Sequence, residues 1–218
     1  MGRVSLYLLA AIAIIYIVQL MVPAFTDEFA FDPALALSQP WRFVTCIFLH
    51  STSDLFHIIF NGLALFMFGL ILDRQVNARK YLFIFFGAGI FGGLLYYLTY
   101  LLGIIPDIPA IGASGAIYGI LGALAVLLPE MRVYVYFFPL KMRQAVIFWI
   151  ILEFLGTFDI SSGIASAAHL GGLIFGIACG WYLMNRKGSF GASDPASQGQ
   201  GVSGAGYRIA PPPADWSD

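Results

Sequence analysis

Long apolar stretches, each close to the length needed to cross a lipid bilayer, constrain the fold of this chain more than any other feature. A bilayer core about 30 Å thick needs roughly 20 apolar residues in a helix. On that rule the sequence predicts six spanning helices, over residues 4–24, 55–72, 80–102, 114–128, 140–155 and 163–184. Only 11% of the 218 residues are charged, whereas soluble domains carry about 25%. We therefore predict an all-α polytopic membrane protein.

The predicted spans leave one long connection and one polar tail. Residues 25–54 are too polar to cross a membrane and too many for a tight turn, and loops of this length are commonly functional or disordered. After residue 185 the composition changes to Gly, Ser, Ala and Pro. We therefore predict one membrane domain, 1–185, and a disordered tail, 186–218. The first span could instead be a signal peptide, but it is long for one and no small-x-small cleavage site follows.

Basic residues fall almost entirely on one side of this topology. Ten of the eleven Lys and Arg residues lie at the N-terminus, in alternate loops or in the tail, and only Arg42 lies on the other side. Because cytoplasmic loops are enriched in Lys and Arg, we expect both termini in the cytoplasm and the 25–54 loop outside. The sequence shows no phosphate-binding loop, basic tract or metal-type cysteine pair, so we expect no nucleic-acid partner, cofactor or metal.

Two residues with catalytic chemistry lie inside predicted spans. Ser114, in Gly112-Ala113-Ser114-Gly115, opens the fourth span, and His169 lies six residues into the sixth. The helical rise places both about 10 Å below the outer surface. A serine beside a histidine is a minimal nucleophile and base, and an ionisable residue at this depth is costly unless it is functional. The pair predicts a catalytic site within the membrane that water can reach.

Glycines repeat at helical spacing along the same two spans. They follow Ser114 and His169, and they are Gly115, Gly119, Gly122, Gly172, Gly176 and Gly180. Small residues spaced in this way let helix backbones approach closely, which predicts contact between the fourth and sixth spans. Packing alone would also explain the pattern, with Ser114 as one more small residue. The histidine at matching depth is what favours catalysis.

His57 and Asn61 lie one turn apart near the outer end of the second span, on one helix face. The tetrahedral intermediate of acyl transfer needs hydrogen-bond donors around its oxyanion. Both side chains could supply them, together with the backbone amide of Ser114 at a helix N-terminus. The alternative interpretation is a buried polar contact that joins helices.

Taken together, these motifs resemble those of the rhomboid intramembrane serine proteases in their six-helix bacterial form. The resemblance runs from Trp41 to Gly180 with the same order and topology. The motifs that carry it are Trp41-Arg42, His57-x-x-x-Asn61, Gly112-Ala113-Ser114-Gly115 and Ala168-His169-Leu170-Gly171-Gly172. The resemblance implies a rhomboid-like bundle whose outer loop, between the first two spans, lies partly in the membrane.

By this resemblance the chain is expected to hydrolyse peptide bonds in or near transmembrane segments of other membrane proteins. Ser114 is then the nucleophile, His169 the general base, and His57 and Asn61 are oxyanion donors. Tyr118 matches a family tyrosine that packs against the catalytic histidine. The pair is therefore expected to be a dyad, without an acidic third member. A bacterial inner membrane is the compartment implied.

The resemblance also places Phe148 and Trp149, in the fifth span, beside a lateral entrance for substrate. Two features depart from the commonest bacterial pattern. Cys46 stands where many members have a histidine, and the interval from His50 to His57 is longer. Both leave the outer-loop conformation open. Glu153, near the outer end of the fifth span, has no expected role; it faces either the aqueous cavity or, as a neutral acid, a packed interface.

Two alternatives from other classes accompany this interpretation. The first is a non-proteolytic rhomboid-like protein that recognises transmembrane segments, since fold alone does not establish function. Such proteins usually lack the serine or the histidine, and both are present here. The second is a transporter or channel, which the absence of inverted-repeat resemblance in the sequence disfavours.

Overall fold

The computed structural model describes residues 3–22, 24–135, 137–159 and 165–191, with side chains described as far as residue 185. Its helices and strands are α1 Val4–Met21, α2 Ala24–Phe29, α3 Arg42–Thr45, α4 Leu55–Ala64, α5 Leu70–Gln75, α6 Ala78–Leu101, α7 Ser114–Leu127, β1 Arg132–Val135, β2 Phe138–Lys141, α8 Met142–Gly156 and α9 Ser166–Gly191. A π-helical turn, Leu65–Gly69, joins α4 to α5. Helices therefore form in all six regions where spans are predicted.

Within the described residues, four helical stretches are long and apolar enough to cross a membrane, namely Val4–Met21, Leu55–Gln75, Ala78–Leu101 and Ser166–Asn185. α7 is a shorter apolar helix of 14 residues, and α8 has 15 residues. The prediction of a helical polytopic membrane protein is confirmed, and the count of six spans stays a prediction. Residues 163 and 164 of the sixth predicted span, and 192–218 of the predicted tail, lie outside the described residues.

Short polar residues cap the first turns of two helices, α4 and α6. The Asp54 carboxylate accepts a hydrogen bond from the Phe56 N–H at 3.0 Å and caps α4. In the same way, the Asn77 side chain caps α6 through the Lys80 N–H. Such side chains satisfy backbone donors that the first helical turn leaves unpaired. These caps fix where α4, which carries His57, begins.

α7 lies in the centre of the compact unit Met1–Met184. Nine of its 14 residues are buried, which is typical of a helix that is apolar all round. Ile120 and Leu124 of α7 belong to one core with Tyr81 and Phe85 of α6. Because α7 is surrounded, its first residue, Ser114, is set at a fixed point within the bundle.

The close contact predicted between the glycine faces of α7 and α9 is present. A Cβ atom added at Gly172 would overlap the backbone carbonyl of Gly115, and one at Gly176 would overlap that of Gly119. No side chain larger than hydrogen fits at either position without a shift of backbone. The glycines therefore let α9 carry His169 directly against the start of α7.

The outer loop packs against the segment that leads into α7. Phe31 and Ala110 exchange two backbone hydrogen bonds, of 2.9 and 2.8 Å. Arg42 is buried, with 3% of its surface exposed, and its guanidinium donates to the carbonyls of Asp27 and Ala30. Trp41, by contrast, is half exposed. The loop is thus tied together internally by Arg42 and attached beside the candidate site.

A β-hairpin between α7 and α8 is an addition to the predicted all-helical fold. β1 and β2 pair antiparallel, with Arg132 opposite Lys141. Val133 and Val135 turn inward while Tyr134 is exposed, so the strand alternates as expected of a sheet with one covered face. The spacing of six spans carried no information about such a short connection, and for that reason the hairpin was not predicted.

Candidate active site

Ser114 and His169 are in direct contact. Their Oγ and Nε2 atoms are 2.7 Å apart, although the residues lie 55 positions apart in the chain. Ser114 is the first residue of α7 and His169 lies in the first turns of α9. The distance suits a hydrogen bond in which the serine hydroxyl donates to Nε2. The structure therefore brings together the two residues that the sequence proposed as nucleophile and base.

Tyr118 packs flat on the histidine. Its ring is parallel to that of His169 within 5°, with centroids 4.6 Å apart. Tyr118 lies one helical turn after Ser114, so the same helix face carries the hydroxyl and the ring that fixes the imidazole. Trp149 of α8 contacts Tyr118 edge-on, at 6.4 Å between centroids. The imidazole plane is thus set by a stack of rings.

A carboxylate also lies beside this histidine, although the resemblance implies a dyad without an acidic third member. Glu153 of α8 places Oε2 at 3.1 Å from Nδ1 of His169, and its other oxygen accepts a hydrogen bond from the Tyr118 hydroxyl. Sequence could not show which face of α8 turns toward α9. One signal was available, since an acidic residue inside an apolar helix is by default a candidate functional residue.

An open cavity of about 580 Å³ leads to the serine. The residues that line it include His57, Asn61, Ser114 and His169. The Asn61 side-chain N–H₂ donates to the carbonyl of His57 at 2.8 Å, which leaves its second N–H for another acceptor. The cavity therefore brings the serine hydroxyl, the histidine and two polar side chains of α4 to one place.

The hydrogen bonds of His57 indicate which ring nitrogen carries its proton. The Ser51 backbone N–H donates to Nδ1 at 3.3 Å, so Nδ1 is an acceptor and the neutral ring has its proton on Nε2. Nε2 lies next to Gly112: a Cβ atom at that glycine would be 2.8 Å from it. Gly112 also has φ of 126°, a conformation that L side chains rarely adopt. Both observations explain the glycine two residues before Ser114.

His50 and Cys46, which the sequence left open, support the site from behind. The Cys46 carbonyl accepts the Gly112 N–H at 2.9 Å. The backbone of His50 is held by Gln19 of α1 in two hydrogen bonds of 3.0 Å, and its ring contacts that of His57 at 5.1 Å between centroids. Burial lowers the pKa of His50 to about 4, so its ring is uncharged at neutral pH.

Other residues singled out by the sequence lie farther from the cavity. Phe148, which is 38% exposed, and Trp149 are not among the residues lining it. Trp41 and Arg42 belong to the outer loop. Gly115 lies in the α7–α9 contact, where a Cβ atom would be 3.4 Å from the carbonyl of Ala168. A lateral entrance beside Phe148 and Trp149 therefore remains a prediction.

The arrangement has the parts needed for attack on a carbonyl carbon. A hydroxyl faces a ring nitrogen that can accept its proton. His57 and Asn61 of α4 and Ser114 at the N-terminus of α7 line the same cavity, so donors that can stabilise a developing negative charge are available there. The chemistry that fits this set is acyl transfer.

Comparison with known proteins gives one family. The family model described as the Rhomboid domain matches residues 37–186. The Bacillus subtilis protein named "Putative rhomboid protease YdcA" is 30% identical over 69 residues, which cover 32% of this chain and 34% of that protein. Rhomboid-like protease 3 of Toxoplasma gondii is 35% identical over 66 residues, covering 30% of this chain and 24% of that protein. The matches span about a third or less of either relative.

Proposed function

Since this chain belongs to the rhomboid family, we propose that it is an intramembrane serine endopeptidase with Ser114 as nucleophile and His169 as general base. The observation that carries the proposal is the 2.7 Å contact between Ser114 Oγ and His169 Nε2, two residues that line an open cavity. A histidine within hydrogen-bond reach of a serine is the arrangement by which proteins activate a hydroxyl.

The reaction follows from that contact. Nε2 of neutral His169 takes the Ser114 proton as Oγ attacks the peptide carbonyl, and it then protonates the amine that leaves. Water entering through the cavity reacts with the acyl-enzyme in the same way, and Ser114 regains its proton. The stacked ring of Tyr118 keeps the plane of the imidazole fixed through both steps.

The oxyanion of the tetrahedral intermediate would be bound by donors on two helices. These are His57 Nε2–H, the second N–H of Asn61 and the Ser114 backbone N–H. His57 is prepared for this role because Ser51 occupies its other nitrogen. Removal of one such donor costs about 10²- to 10³-fold in rate elsewhere.

The substrate we propose is a transmembrane segment of another membrane protein. A membrane helix has its backbone hydrogen bonds closed, so it must unwind locally to present a carbonyl to Ser114. Segments with Gly, Pro or other helix-weakening residues are favoured, with a small residue at the cleaved bond. Entry beside Phe148 and Trp149, cleavage near the outer face of a bacterial inner membrane, and cytoplasmic termini belong to the same proposal.

Labelling with a fluorescent fluorophosphonate tests the proposal. We expect the purified wild-type protein to be labelled, Asn61→Ala to be labelled about 10²-fold more slowly, and Ser114→Ala not at all. Gel fluorescence against time measures all three, and thermal unfolding verifies that each protein is folded. Folded wild-type protein that is not labelled would indicate instead a rhomboid-like protein without proteolytic activity.

A further inference from the structure

We infer that Glu153 is a positioning residue for His169, so that Ser114, His169 and Glu153 act as a triad rather than a dyad. The inference rests on the proposed function and extends it to a residue of α8. Glu153 Oε2 lies 3.1 Å from His169 Nδ1, on the opposite side of the ring from Ser114. His169 thus contacts Ser114 through one ring nitrogen and Glu153 through the other.

Glu153 is fixed in place by groups from two other helices. Tyr118 of α7 donates its hydroxyl to the carboxylate, and the side chain of Ser166 in α9 interacts favourably with it. Only 8% of Glu153 is exposed. A carboxylate held by several donors has little freedom to rotate, so its contact with His169 is preorganised rather than incidental.

The reaction requires a particular tautomer of His169, and this requirement explains why a carboxylate lies beside the ring. For Nε2 to accept the Ser114 proton, the neutral ring must carry its proton on Nδ1. Nδ1 faces Glu153. An ionised carboxylate accepts hydrogen bonds and cannot donate them, so Glu153 favours the tautomer that carries its proton on Nδ1. Once Nε2 has taken the serine proton, the ring is a cation, and the nearby negative charge stabilises it.

The contact is close but not linear. Nδ1 and Oε2 are within ion-pair distance, yet the Nδ1–H direction does not meet the angular requirement of a hydrogen bond. Catalytic hydrogen bonds in unliganded sites are often poorly aligned and tighten when substrate is present. We expect a small rotation of the imidazole to bring Nδ1–H onto Glu153 during the reaction.

Burial of this acid also argues for a role in the reaction. Removing a carboxylate from water is costly unless it is paired. Among the ion pairs in the described part of the chain, Glu153 pairs only with His169. An apolar residue at this place in α8 would avoid the free-energy cost of removing a carboxylate from water. The effect of the carboxylate on the tautomer and charge of His169 is the best explanation for its presence.

A purely structural role would be to join α7, α8 and α9 through Tyr118 and Ser166. Kinetics separates the two roles. The saturation of fluorophosphonate labelling gives a maximal rate constant, kinact, and an affinity constant, KI. Loss of helix packing lowers stability and the labelled fraction, whereas loss of positioning lowers kinact of the folded protein and leaves KI unchanged.

We expect Glu153→Gln to lower kinact about 10²-fold. Neutralising the triad carboxylate of a soluble serine protease costs about 10⁴-fold, and the effect here is smaller because Tyr118 still stacks on the ring. Glu153→Asp, which retains the charge, should recover at least half of that loss on a logarithmic scale. Tyr118→Phe, which removes the hydroxyl but keeps the ring, should cause a smaller loss that does not add to that of Glu153→Gln.

Asp73→Asn is the matched control. Asp73 is a second buried carboxylate, 9% exposed, that accepts hydrogen bonds from the Ser5 hydroxyl at 2.6 Å and the Ser5 N–H at 3.0 Å. It follows His57 by 16 residues, which is about 24 Å along a helix. Its replacement should lower the unfolding temperature and leave kinact of the folded protein unchanged.

The outcomes separate the inference from the proposal beneath it. Folded wild-type protein without labelling overturns the protease assignment and the triad together. If the wild-type protein is labelled and Glu153→Gln has the same kinact, the triad is overturned and the protease assignment stands. If Glu153→Gln does not fold, Tyr118→Phe decides: wild-type kinact in this variant contradicts the inference, and reduced kinact at unchanged KI supports it.

Discussion

Replacement of Ser114 by alanine is expected to abolish peptide-bond cleavage and to leave the fold intact. Ser114 Oγ is the atom proposed to form the acyl-enzyme, and loss of a nucleophile lowers kcat of a serine protease about 10⁶-fold. The side chain is small and its hydroxyl contacts only His169 in the described hydrogen bonds. Its removal therefore creates no appreciable cavity and should shift stability little.

Turnover of a single-span model substrate in detergent measures this effect. The substrate should carry Gly, Ala and Pro near its outer end, and the products are separated on a gel. Ser5→Ala is a useful comparison, because it removes another buried serine hydroxyl, bonded to Asp73 and Tyr81, and should reduce stability rather than kcat. Cleavage by purified Ser114→Ala at the wild-type rate would rule out this serine as the nucleophile.

Gly172→Ala is expected to weaken both the fold and the reaction. A Cβ atom at this position would overlap the backbone of Gly115, so α9 must move away from α7. Overpacking of this kind costs about 1–3 kcal/mol of stability. The same movement separates His169 from Ser114, and a displacement of about 1 Å can cost about 10²-fold in rate.

Gly62→Ala is the matched control, because it is the same substitution in another helix. A Cβ atom at Gly62 would meet only the Leu9 side chain, at an ordinary 3.8 Å. Since glycine inside a helix is about 1 kcal/mol less favourable than alanine, stability should be unchanged or slightly higher. The unfolding temperature and the turnover rate of both variants test this prediction. Equal values for the two variants would show that the close α7–α9 contact is needed neither for stability nor for turnover.

The apolar helices could be predicted from the sequence because continuous runs of apolar residues mark them. The segment over 114–128, for example, becomes α7, Ser114–Leu127, since Pro129 follows it and glycines fit its close packing. The β-hairpin was missed because four-residue strands leave no comparable signal. The position of the outer loop could not be predicted from the sequence either. It depends on the backbone pairing of Phe31 with Ala110, a contact across nearly 80 residues.

Part of the candidate site could also be predicted from the sequence. Ser114 and His169 could be matched because each is a polar residue at the same depth of an apolar helix. Tyr118 was expected beside the histidine only because the family resemblance implies it. Glu153 could be noticed but not placed, because its partner depends on the rotation of α8 about its axis. That rotation is set by packing, which the sequence of α8 alone does not specify.

Cleavage in reconstituted vesicles tests the central claim most directly. Purified wild-type protein and a single-span substrate with Gly and Ala near its outer end would be combined in lipid vesicles, and the products analysed by mass spectrometry. The proposed function predicts one main cut within the outer part of the span, present with wild-type protein and absent with His169→Ala. An intact substrate, with folded wild-type protein that also fails to react with fluorophosphonate, would contradict it.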